Sequence, residues 1–210
     1  MRVFAFLVAL FALIGAPLAA GAPSYATLLA KVKAGDTKID YTALRLAYAA
    51  SDGYDGYAMA SGDAKNAMLA AFNRGDCKKA LVHALAVVEA VYIDVDAHTV
   101  AGRCYGKARD AVKSAFHDAV VSGLEASILA SGDGKSEKTA FIAVLIDEEY
   151  NVLRLKKLRR ASQKIVKGKD GRAYDVMQAS DAAGGKATVY FQIDAILAGL
   201  DRNLNATTPR

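Results

Sequence analysis

His98, His117 and the adjacent Glu148-Glu149 pair are the side chains best suited to chemistry in this 210-residue sequence. Two imidazoles with one carboxylate can hold a divalent metal or act as general acid and base. The two histidines fall on consecutive predicted helices, so a hairpin between them could bring the rings together. The same rings can also serve as hydrogen-bonded core side chains, and no HExxH or other short ligand spacing points to a metal. Neighbouring glutamates diverge on a helix, so one is expected inward and the other in solvent. A second constellation is Arg45 with Tyr41 and Tyr48 on one helix face, beside Tyr54 and Tyr57 in the loop SDGYDGY at 51–57. Aromatic rings around a guanidinium can form a ligand pocket with a cationic anchor. The arginine can equally tie the loop down through carbonyls or Asp40. Gly132-Asp133-Gly134-Lys135-Ser136 imitates the end of a phosphate-binding loop, but Leu129 stands where that motif needs glycine. No GxSxG and no Ser-His-Asp or Cys-His order stands out. These patterns establish no catalytic set and call for no metal or cofactor.

The elements that must position these residues follow a leader. Arg2 precedes an unbroken apolar run from Val3 to Ile14, Gly15 and Pro17 break it, and Ala19-Ala20-Gly21 offers small residues at cleavage spacing. This reads as a cleaved signal peptide over residues 1–21, too short in its apolar part to span a bilayer. Residues 22–210 are then expected to be one compact domain in the periplasm or outside the cell, with no transmembrane segment. In that oxidising setting the only two cysteines, Cys77 and Cys104, suggest a disulfide, with two separate buried thiols as the other possibility.

Helical periodicity covers residues 22–130 and strand signals appear within 131–210. Apolar residues at 25, 28, 29 and 32 predict a first helix closed by Gly35, and Asp40 caps a second. Further helices are expected over Asp63 to Asn73, Asp76 to Ala90, Asp94 or Asp96 to Arg109, and Asp110 to Ala130. Asp76 and Asp110 are 34 apart, the period of tetratricopeptide hairpins, and His98-x2-Ala101-Gly102-x2-Tyr105 falls on that repeat's spacing. After Gly134 the period changes. Ala140 to Ile146 reads as a buried strand and Asp147 to Leu158 as a helix. Ala161 to Lys167, Arg172 to Ala179 and Lys186 to Ile193 read as strands, the last alternating cleanly, and Asp194 caps a final helix. The expected class is α+β: tetratricopeptide-like hairpins packed on a small antiparallel sheet.

Asp40-Tyr41-x2-Leu44-Arg45-x2-Tyr48-x2-Ser51-x2-Tyr54-x2-Tyr57 resembles the opening of the exported bacterial family known as domain of unknown function 4919. Asp96-Ala97-His98, Phe116-His117, Gly123 to Ser127, Ser131 to Lys135, Ala140-Phe141, Glu148-Glu149-Tyr150, Tyr174-Asp175 and Tyr190-Phe191 extend the likeness over nearly the whole mature chain. Gly56 and Gln192 depart from the pattern, where proline and asparagine are usual nearby. The resemblance implies an exported protein of one compact unit and implies no activity.

Composition excludes disorder and low complexity: 53% of residues are hydrophobic, 23% are charged, and there are three prolines. Charge is concentrated. Arg154 to Arg172 holds nine Lys or Arg against one acid, among them Arg154, Lys156, Lys157, Arg159, Arg160 and Lys164. Such a patch can meet an anionic envelope component, or it can simply be a solvated basic face. Nucleic acid is not an expected partner outside the cytoplasm. Two functions are therefore expected in competition. One is a non-enzymatic periplasmic module that binds a protein or peptide on its helical hairpins. The other is a hydrolase or metal-dependent enzyme built on His98, His117 and Glu148 or Glu149, with Arg45 as an anion anchor.

Overall fold

Aspartates cap half of the α-helices among the described residues. In the computed structural model, which describes residues 23–207, the helices are α1 (Tyr25–Lys33), α2 (Tyr41–Ala49), α3 (Gly62–Asn73), α4 (Cys77–Ala90), α5 (Val95–Lys107), α6 (Ala111–Leu129), α7 (Ile146–Leu155) and α8 (Asp194–Thr207). Asp40, Asp76, Asp94 and Asp110 each accept the backbone N–H three residues on, which satisfies one of the unpaired donors at a helix N-terminus. Ser24 does the same for α1. Asp76 and Asp110 thus mark equivalent helix starts 34 residues apart, which explains the sequence spacing without assigning the repeat to a family. The leader expected at residues 1–21 lies outside the described residues.

The middle helices run back and forth. Gly102 and Gly106 of α5 lie against Asp118 and Ser114 of α6, a falling register that makes the pair antiparallel. A Cβ on Gly102 would come within 2.7 Å of the Asp118 carboxylate, an exposed group that would have to turn aside. Gly123, further along α6, is what permits the approach of α2, because a side chain there would enter the ring of Tyr41. Cys77 and Cys104 are bridged, with Cα atoms 5.2 Å apart and a sequence separation of 27, tying the start of α4 to the end of α5. Replacing both by alanine is expected to cost about 3 kcal/mol from released chain entropy. Urea denaturation of the variant and of the parent protein checks it; the midpoint falls while the slope rises.

The sheet corrects the expectation of an all-antiparallel layer. Its order is β1 (Phe141–Ile142), β4 (Lys186–Gln192), β3 (Ala173–Ser180), β2 (Arg159–Lys167). β2, β3 and β4 form antiparallel pairs, but β1 lies parallel to β4, with Phe141 opposite Phe191. The apolar run Ala140 to Ile146 yields only those two strand residues. Beyond them the chain is still buried, yet its polar groups are met individually. Ala143 N–H donates to Gln192, Val144 N–H to the Glu148 carboxylate, and Ile146 N–H to Gly56, while Tyr54 Oη donates to the Val144 carbonyl. The run reported burial rather than a ladder.

One continuous core joins both parts. Leu28, Leu44, Met68, Val87, Ile93, Leu124 and Leu145 from the helical side meet Met177, Val189, Phe191 and Ile196. Met177, Ala179, Val189 and Phe191 form the helix-facing side of the sheet, and Tyr174 and Val176 with Ala140 form a smaller cluster on the other.

Candidate functional site

Arg45 is the largest of the fully buried side chains, 1% exposed, because it sits one turn from Tyr41 on the face of α2 that carries Leu44 and Tyr48. A guanidinium there needs partners for all its donors. Nε and Nη2 donate to the two oxygens of Glu148, each at 2.7 Å, Nη2 also to the Ile142 carbonyl at 2.7 Å, and Nη1 to Ser127 Oγ at 3.3 Å. The Val144 N–H adds a donor to Glu148 at 2.8 Å. This knot ties α2, α6, β1 and α7 together. The tyrosines are packed around its α2 side. Tyr48 lies between Tyr25 and Tyr54, with ring centroids 5.1 and 5.3 Å away, and accepts the Asp55 N–H. Burial raises the pKa of Tyr41, Tyr48 and Tyr54. Tyr57 is the most open of these tyrosines, 39% exposed. Arg45 therefore satisfies an internal carboxylate and presents no open face to a ligand.

The hairpin brings His98 and His117 together, as the sequence allowed. Their Nδ1 atoms are 2.8 Å apart, and His98 Nε2 lies 2.8 Å from the Tyr92 carbonyl. A carbonyl only accepts, so His98 carries its proton on Nε2 and accepts at Nδ1 from His117. Burial, then the neighbouring imidazole, pushes the His98 pKa down to about 3, and burial lowers that of His117. Tyr105 stacks on His117, with planes 16° apart. Both nitrogens of His98 are thus in use. Neither Glu148 nor Glu149 is among the partners of these rings, and the described residues include no group of three His, Cys, Asp or Glu arranged to hold a metal ion.

Glu149 points inward as well, against the expectation that one glutamate would be solvated. It is fully buried, and neither carboxyl oxygen has a hydrogen-bond partner among the described residues. Its neighbour is Asp175 of β3, also buried, whose Oδ2 accepts from Gln163 at 2.6 Å and whose Oδ1 is unpartnered. Burial first, then the Asp175 charge, pushes the Glu149 pKa up to about 9. Glu149 is consequently a neutral acid at pH 7, able to give its proton to the free oxygen of Asp175. Sequence reasoning missed Asp175 as its partner. The signal was there: positions 175, 177 and 179 share one face of a strand, and 175 alone is an acid.

An open groove of about 510 Å³ lies elsewhere, between α3, α5, α6 and the end of α7. Asp96, Thr99, Val100 and Arg103 line it from α5, and Asp118, Val121, Ser122 and Glu125 from α6. Both sets are spaced i, i+3, i+4, i+7, one stripe of a helix. Leu69, Phe72 and Asn73 add a third stripe from α3. Arg154 bonds Asp96 at 2.8 Å and approaches Glu125 at 3.6 Å. At one end Lys65 meets Asp94, Asp96 and Asp147 at 2.7, 3.5 and 2.5 Å, fixing α3 to the starts of α5 and α7. Burial would lower the Lys65 pKa, but the three carboxylates outweigh it and raise it. Of these groove residues only Arg154 was a candidate site residue from the sequence; Asp94 and Asp96 were read only as a helix cap and part of a family likeness. Each stripe could have been read alone; that they face one another could not.

Of the basic residues, Lys156, Lys157, Arg159, Arg160 and Lys164 are exposed around β2, and Arg160 lies over the Tyr150 ring while donating to its hydroxyl at 2.8 Å. Arg154 belongs to the groove instead. No helix among the described residues is long and apolar enough to cross a membrane. Gly132 to Ser136 follow the C-terminus of α6, and only a single 3-10 turn, Glu137–Thr139, opens behind them. No curated protein and no solved structure matches the chain. The tetratricopeptide likeness therefore gains no support beyond its spacing. Residues 20–202 match one family, described as Domain of unknown function (DUF4919), and since that span is most of the sequence, the chain belongs to this family.

Proposed function

We propose that the protein is an exported, non-enzymatic binding module of one compact domain, which holds a short segment of a peptide or protein in the groove between α3, α5 and α6. The observation that carries this reading is the groove itself. Three helices turn equivalent stripes toward it, and its volume is within the range of ligand sites. Leu69, Phe72 and Val121 offer apolar contact, while Arg103 and Asp118 stand exposed beside them to orient a polar backbone. The Cys77–Cys104 disulfide suits a chain that works outside the cytoplasm, in the periplasm or beyond the cell.

The test is selection of random displayed peptides on the purified protein, with Ser122→Arg as a counter-variant. Ser122 is exposed, so filling the groove there leaves the core alone. Enriched peptides are expected to lose at least ~10-fold in affinity on the variant, about 1.4 kcal/mol. Peptides that bind both forms equally sink the reading, as does the absence of any enrichment.

A second reading, a hydrolase or metal-dependent enzyme using His98, His117, Glu148 and Glu149, draws on one observation: a neutral Glu149 beside Asp175 has the raised pKa of a general acid. The binding reading is preferred because Glu149 is sealed from solvent, Glu148 is committed to Arg45, and the histidines to each other.

A further inference from the structure

β2 is the last strand of the sheet and pairs only with β3, so one edge of a nine-residue strand is unpaired among the described residues. Every second residue on that edge turns its N–H and C=O outward, away from the sheet. Eight of its nine residues are exposed, Val166 being half-buried. Ile165 is 57% exposed although it shares the helix-facing side of the sheet with its partners Asp175 and Phe191. It lies where the next strand would cover it. A bulge at Ala161 breaks the register with β3, and beside it a hollow of about 480 Å³ opens, lined in part by Gln178, Ser180 and Lys186.

Long exposed edges invite pairing, and natural sheets protect them with charge. Here the protection has one sign. Arg159, Arg160, Lys164 and Lys167 lie on the strand, with Lys156, Lys157 and Lys169 flanking it and no acid between Arg154 and Lys169. A second copy of the chain would set these cations against their own kind, so self-pairing is opposed. A strand carrying acids meets the opposite situation: its carboxylates face lysine and arginine while its backbone completes the ladder.

We infer that the free edge of β2 is a docking site for an acidic, extended segment of another protein, which adds as a fifth strand with an apolar side chain over Ile165. The partner is a polypeptide rather than a lipid surface or a polyanion, because an unpaired ladder edge together with an uncovered Ile165 calls for backbone N–H and C=O groups and alternating side chains. The site is independent of the helical groove and does not rest on it.

The experiment uses the purified protein and a synthetic peptide of about the length of β2, alternating glutamate with threonine or valine. Affinity is read by fluorescence anisotropy and the contact by backbone amide hydrogen exchange. Binding is expected to weaken with salt, and alternate β2 amides to gain protection on the unaltered protein. Lys164→Glu with Lys167→Glu is expected to weaken binding at least ~10-fold, with an unchanged circular dichroism spectrum as the check on folding. The same peptide N-methylated at alternate residues keeps its charge but loses ladder donors, and it is expected to bind at least ~10-fold more weakly. Equal binding of the methylated peptide overturns the proposal. So does phosphatidylglycerol vesicle binding without peptide binding, or peptide binding that leaves β2 exchange unchanged.

Discussion

Replacing Arg45 with methionine is expected to lower the unfolding free energy by about 3–5 kcal/mol, the cost of leaving a buried carboxylate without its counter-charge. The geometry sets this size. Both Glu148 oxygens accept from Arg45 at 2.7 Å with each side chain 1% exposed, so water cannot replace the lost guanidinium. The Ile142 carbonyl and Ser127 hydroxyl lose a donor at the same time. Methionine fills part of the volume, which keeps the loss electrostatic rather than a cavity effect. The double variant Arg45→Met with Glu148→Leu removes both charges and is expected to recover at least half of the loss, because the pair repays a large desolvation cost and adds little net stability. Urea denaturation of the three proteins gives the coupling directly. A single-variant loss under about 1 kcal/mol would instead be the behaviour of a solvated ion pair, and it would mean that the knot between α2, α6 and α7 opens in solution.

The same knot shows what could be read from the sequence. Helix starts were legible because they are local: Asp40, Asp76, Asp94 and Asp110 each act on an N–H three residues away. The β4 alternation was legible for the same reason, a repeat of two along one strand. Arg45 and Tyr48 could be placed on one face of α2, but not the fact that Glu148, 103 residues on, would be the arginine's partner. Pairings at that distance depend on how elements pack, and no periodicity encodes them. The hydrophobic run at 140–146 was correctly buried and wrongly extended. Burial is a property of side chains, whereas a ladder requires a neighbour, and Tyr54, Glu148 and Gly56 supply the backbone partners there. The histidine pair was accessible because a short hairpin joins α5 and α6, a near-local geometry. The Glu149–Asp175 pair and the groove were out of reach because each needs a contact between distant elements.

Glu149 gives the protein an unusual pH profile: stability is expected to fall as pH rises from about 5 to 9. Burial and the Asp175 charge push its carboxyl up to about 9 in the fold, against 4.5 for a free glutamate side chain. Between those values the folded chain holds a proton that the unfolded chain has released, so raising the pH favours unfolding. Below the lower value both states are protonated and this contribution is fully present; above the upper value it is gone. Asp175 is shifted upward too, chiefly by burial, and acts in the same direction. Each pH unit inside the window costs about 1.4 kcal/mol, so the loss from pH 5 to pH 8 is roughly 4 kcal/mol from this group. Glu149→Gln keeps the shape and a donor for the free oxygen of Asp175 but has no proton to release. It is expected to match the parent protein near pH 5, to be more stable by several kcal/mol at pH 8, and to flatten the profile between. Denaturant midpoints across pH 5–9 for both proteins decide it. A parent protein whose stability rises over that range, or a variant that is weaker at every pH, would show that Glu149 is ionised in the fold and has found a cation. Arg160 is the group to examine then, since its charge already pulls the Glu149 pKa downward. Asp175→Asn separates the two causes, because it removes the neighbouring charge and leaves the burial. It is expected to narrow the window from the alkaline side without closing it, which is the outcome that burial as the larger cause requires.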